Sequence, residues 1–221
     1  EFPDTIQIVP ATEVVEGHES PVRAIRRKPD SSIVVGLGLL RAGEVDAFIS
    51  AGSTGAVMAA SRLLLGMLPG VERPTVGTMF PTTGSPVLVV ESGANIDARP
   101  SQLLQFARLG SVYRRDLQGL ERPRIGLLNV GEESSKGGAL AVATHKLLQD
   151  DEELNFVGNV EGHEIVEGAC DVLVSDGFIG NVLLTFYESV AGFIAGVLKA
   201  QLDPEVHGEG FKEVYRTIDY A

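Results

Sequence analysis

Short β-branched runs alternate along this chain with longer amphipathic ones. Residues 6–9, 45–50, 75–80, 86–91, 124–130, 155–160 and 171–175 have the length and the Val/Ile/Leu content of strands. Residues 31–41, 56–68, 100–116, 139–149 and 180–201 carry the wider apolar spacing of helices. The punctuation agrees. Ala42-Gly43 closes the first helix, Pro69-Gly70 closes the second, and Pro100 opens the third. Strand, glycine-containing turn, helix, repeated, predicts an α/β fold: an open, mostly parallel sheet with helices on both faces. No internal repeat or low-complexity linker interrupts residues 1–221, which read as a single α/β domain. In such sheets ligands bind beyond the carboxyl ends of the strands. The pattern puts three segments there: 50–55, 131–138 and 176–181.

Composition narrows the classes of function. The 221 residues are 44% hydrophobic and 22% charged, enough for a sizeable core. Asp and Glu number 30 against 18 Lys and Arg, a formal charge of -12. That excludes nucleic acid as the main partner and disfavours broad adhesion to anionic lipid. The lone cysteine, Cys170, can form no internal disulfide and fits a reducing cytoplasm. Lying at a strand entry with no cation beside it in sequence, it reads as a buried thiol rather than a nucleophile. Glu1-Phe-Pro-Asp4 lacks the charged-then-apolar pattern of a secretion signal. The apolar stretch near 181–198 is broken by Glu188. Its uninterrupted part, 189–198, falls short of the ~20 residues a bilayer needs, so a buried helix is expected, with Gly192 and Gly196 marking close helix packing.

The turns hold the candidate chemistry. Ser50-Ala-Gly52-Ser53-Thr54-Gly55 joins an apolar run to a helix. Its small residues let backbone N–H groups face an anion at a helix N-terminus. The same composition equally suits close packing and capping. It is neither a Walker loop nor GxGxxG, so a nucleotide reading is weak. Lys136 lies in the loop from Gly131 to Gly138, where it either meets a phosphate or oxyanion or is simply solvated. Asp176-Gly177-Phe-Ile-Gly-Asn181 is the third turn, with Asn181 either capping the last helix or donating to a ligand oxygen. Asn95 and Asp97 follow another apolar strand and either bind substrate or form Asx-turns. The four histidines, His18, His145, His163 and His207, have no metal-ligand spacing, and no Ser-His-Asp triad is supported. Arg23, Arg26, Arg27 and Lys28 form the one basic cluster, a solvated face or a docking point for an acidic protein.

Six segments, taken in order, resemble the PlsX family, the phosphate acyltransferases of bacterial phospholipid synthesis. They are Glu19-Ser-Pro-Val-Arg-Ala-Ile-Arg-Arg-Lys28, Ser50-Ala-Gly-Ser-Thr-Gly-Ala56, Gly93-Ala-Asn-Ile-Asp-Ala-Arg-Pro100, Gly126-Leu-Leu-Asn-Val-Gly131, Phe156-Val-Gly-Asn159-Val-Glu161 and Asp176-Gly-Phe-Ile-Gly-Asn-Val182. The likeness runs from about Val9 to Leu202. It implies transfer of a fatty acyl group from acyl carrier protein to inorganic phosphate, giving acyl phosphate, with no metal and no nucleotide cofactor. It also implies the fold of phosphotransacetylases and isocitrate/isopropylmalate-type dehydrogenases, usually as a homodimer. The expected location is the inner face of the cytoplasmic membrane, where acyl phosphate passes to a membrane acyltransferase. Lys136 and Asn181 match the family's catalytic lysine and asparagine. Ser50, Gly52, Ser53, Thr54, Gly55, Asn95, Asp97, Asn159, Asp176 and Gly177 are expected around phosphate and substrate. Arg23, Arg26, Arg27 and Lys28 are expected at the carrier.

This chain departs from the family pattern in places. Ser53 replaces an Asn, and Glu91-Ser92 replaces Asp-Val, which argues against direct side-chain roles there. A family opening strand and a segment expected after Asp219-Tyr-Ala221 are missing. Joints at 4–5 and 207–208 suggest the ordered parts of a longer protein. Two other readings remain open: a short-chain acyltransferase using coenzyme A, and a non-catalytic scaffold for lipid synthesis.

Overall fold

The structure is a computed structural model that describes residues 6–201. The segments 1–4 and 219–221, His207 and the expected joints at 4–5 and 207–208 lie outside the described residues, in whole or in part. Its elements run α1 (Pro21–Arg27), α2 (Ser32–Ala42), α3 (Thr54–Leu64), β1 (Gly77–Phe80), β2 (Val87–Val90), α4 (Pro100–Gln118), β3 (Arg124–Leu128), α5 (Ala139–Gln149), β4 (Asn155–Val160), β5 (Val172–Val174) and α6 (Gly177–Gln201).

Five strands form one sheet in the order β1-β2-β5-β3-β4. Pairing is parallel from β2 to β4, and only β1 runs antiparallel, as a hairpin with β2. The two central strands are apolar at every position because both faces of the sheet are covered. Leu88, Val90, Val172 and Val174 point to the α4/α5 side, with Leu103 and Phe106 of α4. Val87, Val89 and Leu173 point the other way, where Leu183, Leu184 and Tyr187 of α6 pack. Each such side chain contributes roughly 1.5–3 kcal/mol on burial. A separate cluster joins α1 and α2 to α3 through Ile25, Ile33, Leu37, Ala56 and Ala60.

Several expectations change. Residues 6–9 and 45–50 form no strand. A strand persists only where a neighbour takes up its backbone groups, and none runs beside either run among the described residues. Phe48 instead lies over α2, so close to Gly36 that an added Cβ would stand 2.3 Å from its ring. The basic cluster at 23–28 lies largely on a helix, α1, which the sequence pattern does not announce. The last helix begins at Gly177, three residues early, and it is not a buried helix. Phe186 is 66% and Phe193 71% exposed, while Leu183, Leu184 and Tyr187 pack against the sheet. The helical stretch Gly177–Val197 has a mean hydropathy of 1.5, long and apolar enough to cross a membrane by length and composition. Nor does close packing occur at Gly192 and Gly196, where an added Cβ would meet nothing within 4 Å.

Candidate active site

Parallel pairing brings the carboxyl ends of β2, β5 and β3 to one edge of the sheet. The segments that follow are 91–97, 175–181 and 129–138. Two of these match the sequence expectation. The third does not, because 50–55 follows no strand and 91–97 takes its place.

The turn after β2 is organised by Glu91. Its carboxylate is fully buried and accepts four hydrogen bonds: from the N–H groups of Gly93 at 2.8 Å and Ala94 at 2.5 Å, from the Thr75 hydroxyl at 2.9 Å and from the Asn95 amide at 2.5 Å. Asn95, expected at substrate, is itself buried and spends its amide on Glu91 and on the Pro74 carbonyl. Asp97 is exposed and paired with Arg73 at 2.9 Å, which holds its carboxyl below the usual carboxylate range.

The turn after β5 rests on this one. Asp176 accepts from the N–H groups of Phe178 at 2.9 Å and Ile179 at 3.0 Å, so Asp176 caps α6. The capping role considered for Asn181 is therefore taken. Asn181 sits in the second turn, exposed and facing Gly93: a Cβ built on Gly93 would stand 2.8 Å from its Oδ1. Gly177 is a point of backbone contact. Its N–H donates to the Asn95 carbonyl at 3.0 Å.

The glycine loop after β3 is pinned from below. The Asn129 amide donates to the Lys136 carbonyl at 3.0 Å. Asn159, expected to touch substrate, is buried and donates to the Glu133 carbonyl at 2.9 Å, while its Oδ1 is 2.9 Å from Nδ1 of the buried His145. The amide of Asn159 is thus used to fix the loop. The Lys136 side chain stays half exposed, with its ammonium 3.9 Å from the Glu133 carboxylate.

Between the last two turns opens a cleft of about 540 Å³. Val130 and Gly137 of the loop line one side, Ile179, Val182 and Phe186 of α6 the other, and Leu127 and Leu128 the floor. Lys136 and Asn181 are each one residue from a lining residue, on opposite sides. A second cavity of about 330 Å³ lies on the far side of the 91–97 turn, lined by Gly55, Arg62, Arg73 and Asn95. This is where the 50–55 turn leads. Ser53 precedes α3 without a side-chain capping bond, and Ser50 Oγ accepts from the Gly52 N–H at 3.1 Å. Ser50, Gly52, Ser53 and Thr54 do not reach the apolar cleft.

A family model described as "Fatty acid synthesis protein" matches residues 2–209. Phosphate acyltransferases from Nostoc sp. (strain PCC 7120) and Halothermothrix orenii are 47% and 48% identical over 99% and 90% of this chain. The chain belongs to the phosphate acyltransferase family. It spans 67% and 60% of the length of those two relatives. Among solved structures, a phosphotransacetylase from Staphylococcus aureus aligns with a TM-score of 0.56 at 20% identity, covering 74% of this chain and 56% of that one. One from Streptococcus pyogenes gives 0.52 at 16% identity, over 71% and 54%. These two show the α/β fold that this phosphate acyltransferase family member shares with them.

Other features of this family member are structural or chemically quiet. Cys170 is buried, and burial pushes its thiol up to about 12, as a core residue rather than a nucleophile. Lys28 is drawn out of the basic cluster by Glu19 at 2.5 Å and the Val14 carbonyl at 2.6 Å, leaving Arg23, Arg26 and Arg27 on the exposed side of α1. Among the described residues, no group of three or more His, Cys, Asp or Glu is placed to hold a metal ion. Sequence reasoning gave no supporting role to Glu91, Asn129 or His145: it argued against a direct role for Glu91, met Asn129 only inside a family segment and read His145 only as lacking metal-ligand spacing. The one signal for Glu91 was a carboxylate directly after a run of four apolar strand residues.

Proposed function

We propose that this chain carries the transfer of a fatty acyl group from acyl carrier protein to inorganic phosphate. The observation that carries this reading is the apolar cleft between the Lys136 loop and the start of α6. Its volume lies within the range of about 300–1,000 Å³ usual for small-molecule sites, and its walls suit an alkyl chain. The thioester carbonyl then lies at the rim. An oxygen of hydrogen phosphate attacks the carbonyl carbon. The carbonyl oxygen takes the charge of the tetrahedral intermediate, stabilised by the Lys136 ammonium and the Asn181 amide. The C–S bond breaks, the phosphate oxygen loses its proton and the departing sulfur gains one, giving acyl phosphate and carrier thiol.

The second cavity, beside the 50–55 turn and its two arginines, is the assigned entry for the phosphate-bearing side. The arginines of α1 are the assigned contact for the acidic carrier. A second copy of the chain is assigned to the uncovered apolar face of α6, with the assembly working at the inner face of the cytoplasmic membrane and passing acyl phosphate to a membrane acyltransferase.

The test is to incubate the full-length protein with palmitoyl-acyl carrier protein and follow free thiol with and without phosphate. Phosphate-dependent release with acyl phosphate as product supports the assignment. Thiol release only from short-chain coenzyme A esters would replace it, and carrier binding without release would leave a scaffold.

A further inference from the structure

One fully buried ionisable group has no part in the chemistry above. Glu91 directly follows β2, with its carboxylate out of reach of solvent. It meets four donors, none of them a lysine or arginine: the N–H groups of Gly93 and Ala94 on Oε1, and the Thr75 hydroxyl and Asn95 amide on Oε2. An ionised carboxylate has only acceptors to offer, so four converging donors match that group. Charge-assisted bonds to backbone N–H are the strong kind. They fix the 93–95 turn in one conformation.

That turn is the bed on which α6 begins. The Ser175 hydroxyl donates to the Glu91 carbonyl at 3.1 Å, and the Gly177 N–H donates to the Asn95 carbonyl at 3.0 Å. Gly180 lies so near the Glu91 carbonyl that an added Cβ would stand 1.9 Å from its oxygen. Gly93, whose N–H the carboxylate holds, faces Asn181. The chain of contact runs from carboxylate to turn to Asn181 with no side chain between.

We propose that Glu91 is a positioning residue for acyl transfer: through the 93–95 turn its carboxylate sets where the Asn181 amide stands relative to the Lys136 loop. This rests on the function proposed above, because it takes Asn181 as the group that meets the reacting carbonyl.

Glu91→Gln keeps the shape but turns one acceptor into a donor. The new NH2 faces either the Gly93 and Ala94 N–H groups or the Thr75 and Asn95 side chains. Thr75 can rotate to accept. Asn95 cannot turn without giving up its 2.9 Å bond to the Pro74 carbonyl. Glu91→Asp keeps the acceptor-only charge and loses one methylene.

The experiment compares both variants in the full-length protein, alone and combined with Asn181→Ala. It reads kcat and KM for palmitoyl-acyl carrier protein, and backbone hydrogen exchange across residues 177–184. Glu91→Gln is expected to lower kcat about tenfold or more, as misplacing a catalytic group does, with KM for the carrier little changed. Glu91→Asp is expected to recover most of that loss. In the Asn181→Ala background Glu91→Gln should cost about twofold at most, because a group already removed cannot be misplaced. Exchange at 177–184 should rise in Glu91→Gln and return towards normal in Glu91→Asp.

Fully additive losses, or unchanged exchange in Glu91→Gln, would overturn the proposal. The exchange reading needs no activity. If the unaltered protein shows no phosphate-dependent thiol release, the functional assignment falls, and exchange alone decides whether Glu91 positions the start of α6. Should Glu91→Gln not accumulate as folded protein, Thr75→Val withdraws one donor while leaving the charge. It should then give a smaller loss with the same non-additivity.

Discussion

Gly93 has a φ of 130°, a conformation that side chains other than glycine's rarely adopt, and its open side is filled by Asn181. Gly93→Ala meets both obstacles. It should destabilise the fold by about 1–3 kcal/mol and also push Asn181 aside, so kcat should fall even at temperatures where the variant is fully folded. Steady-state kinetics beside a thermal melt checks both. Lys136 is the opposite kind of residue: its backbone is pinned by Asn129, while its side chain is half exposed with Glu133 3.9 Å away. Lys136→Ala should leave the melt unchanged and lower turnover about 100-fold or more. Near-normal turnover would remove Lys136 from the mechanism. At this scale the sequence named the residues carried by turns, and named Asn95 and Asn159 as well, but not the supporting bonds these two make. Asn159 and His145 lie 14 positions apart and pair only because α5 packs back against β4.

Local pattern was a good guide to those elements that found partners. The apolar run at 155–160 and the helix over 139–149 form as the spacing predicts. The equally apolar run at 45–50 does not, because strand formation depends on a neighbour rather than on the run itself. At the edge opposite the site, Arg124 ties β3 to the entry of β5. Its guanidinium meets both Asp171 oxygens and the carbonyls of Gly168 and Ala169, and the Arg124 backbone N–H donates to Asp171 at 2.7 Å. Burial raises the Asp171 carboxyl, but the bonds from Arg124 outweigh it and hold the pKa below the ordinary 3.8. The unfolded chain therefore takes up the proton first as pH falls. The contribution of this pair is complete above about pH 4 and is lost as pH drops through the depressed folded value. Arg124→Ala should lower urea stability at neutral pH by about 1.5–3 kcal/mol and flatten that acid limb, with turnover per folded molecule unaltered. An unchanged acid limb would show that another carboxylate carries it.

The molecule as a whole bears a formal charge of -12, yet α1 shows solvent three arginines. If these receive an acidic carrier, Arg23→Glu with Arg26→Glu should weaken carrier binding by more at low salt than at high salt. Calorimetry at two ionic strengths reads this, and equal affinity in both proteins would discard the surface. The uncovered face of α6 has its own test. Phe193→Ser with Ile194→Ser changes side chains that are 71% and 51% exposed, so it should leave the fold intact and, if a second copy covers this face as proposed, shift sedimentation from dimer towards monomer. An unshifted dimer would send the interface elsewhere.

The sequence by itself determined the α/β class, the helix closed by Gly43, the helix opened by Pro100 and the turns that hold Lys136 and Asn181. Each of these is decided by a few neighbouring residues: apolar period, glycine at a turn, proline at a first helical position. The helix expected to run to Pro69-Gly70, by contrast, ends at Leu64. Tertiary structure decided what depends on distant partners. It left 45–50 without a strand, put the 91–97 turn in place of 50–55 at the sheet edge, and gave the cap of α6 to Asp176. It also gave a buried carboxylate four donors, three of them from its own turn and one from Thr75, 16 residues away. The exposure of α6 is of the same kind. Period and hydropathy describe a helix, but whether its apolar face is covered depends on what the rest of the fold brings against it.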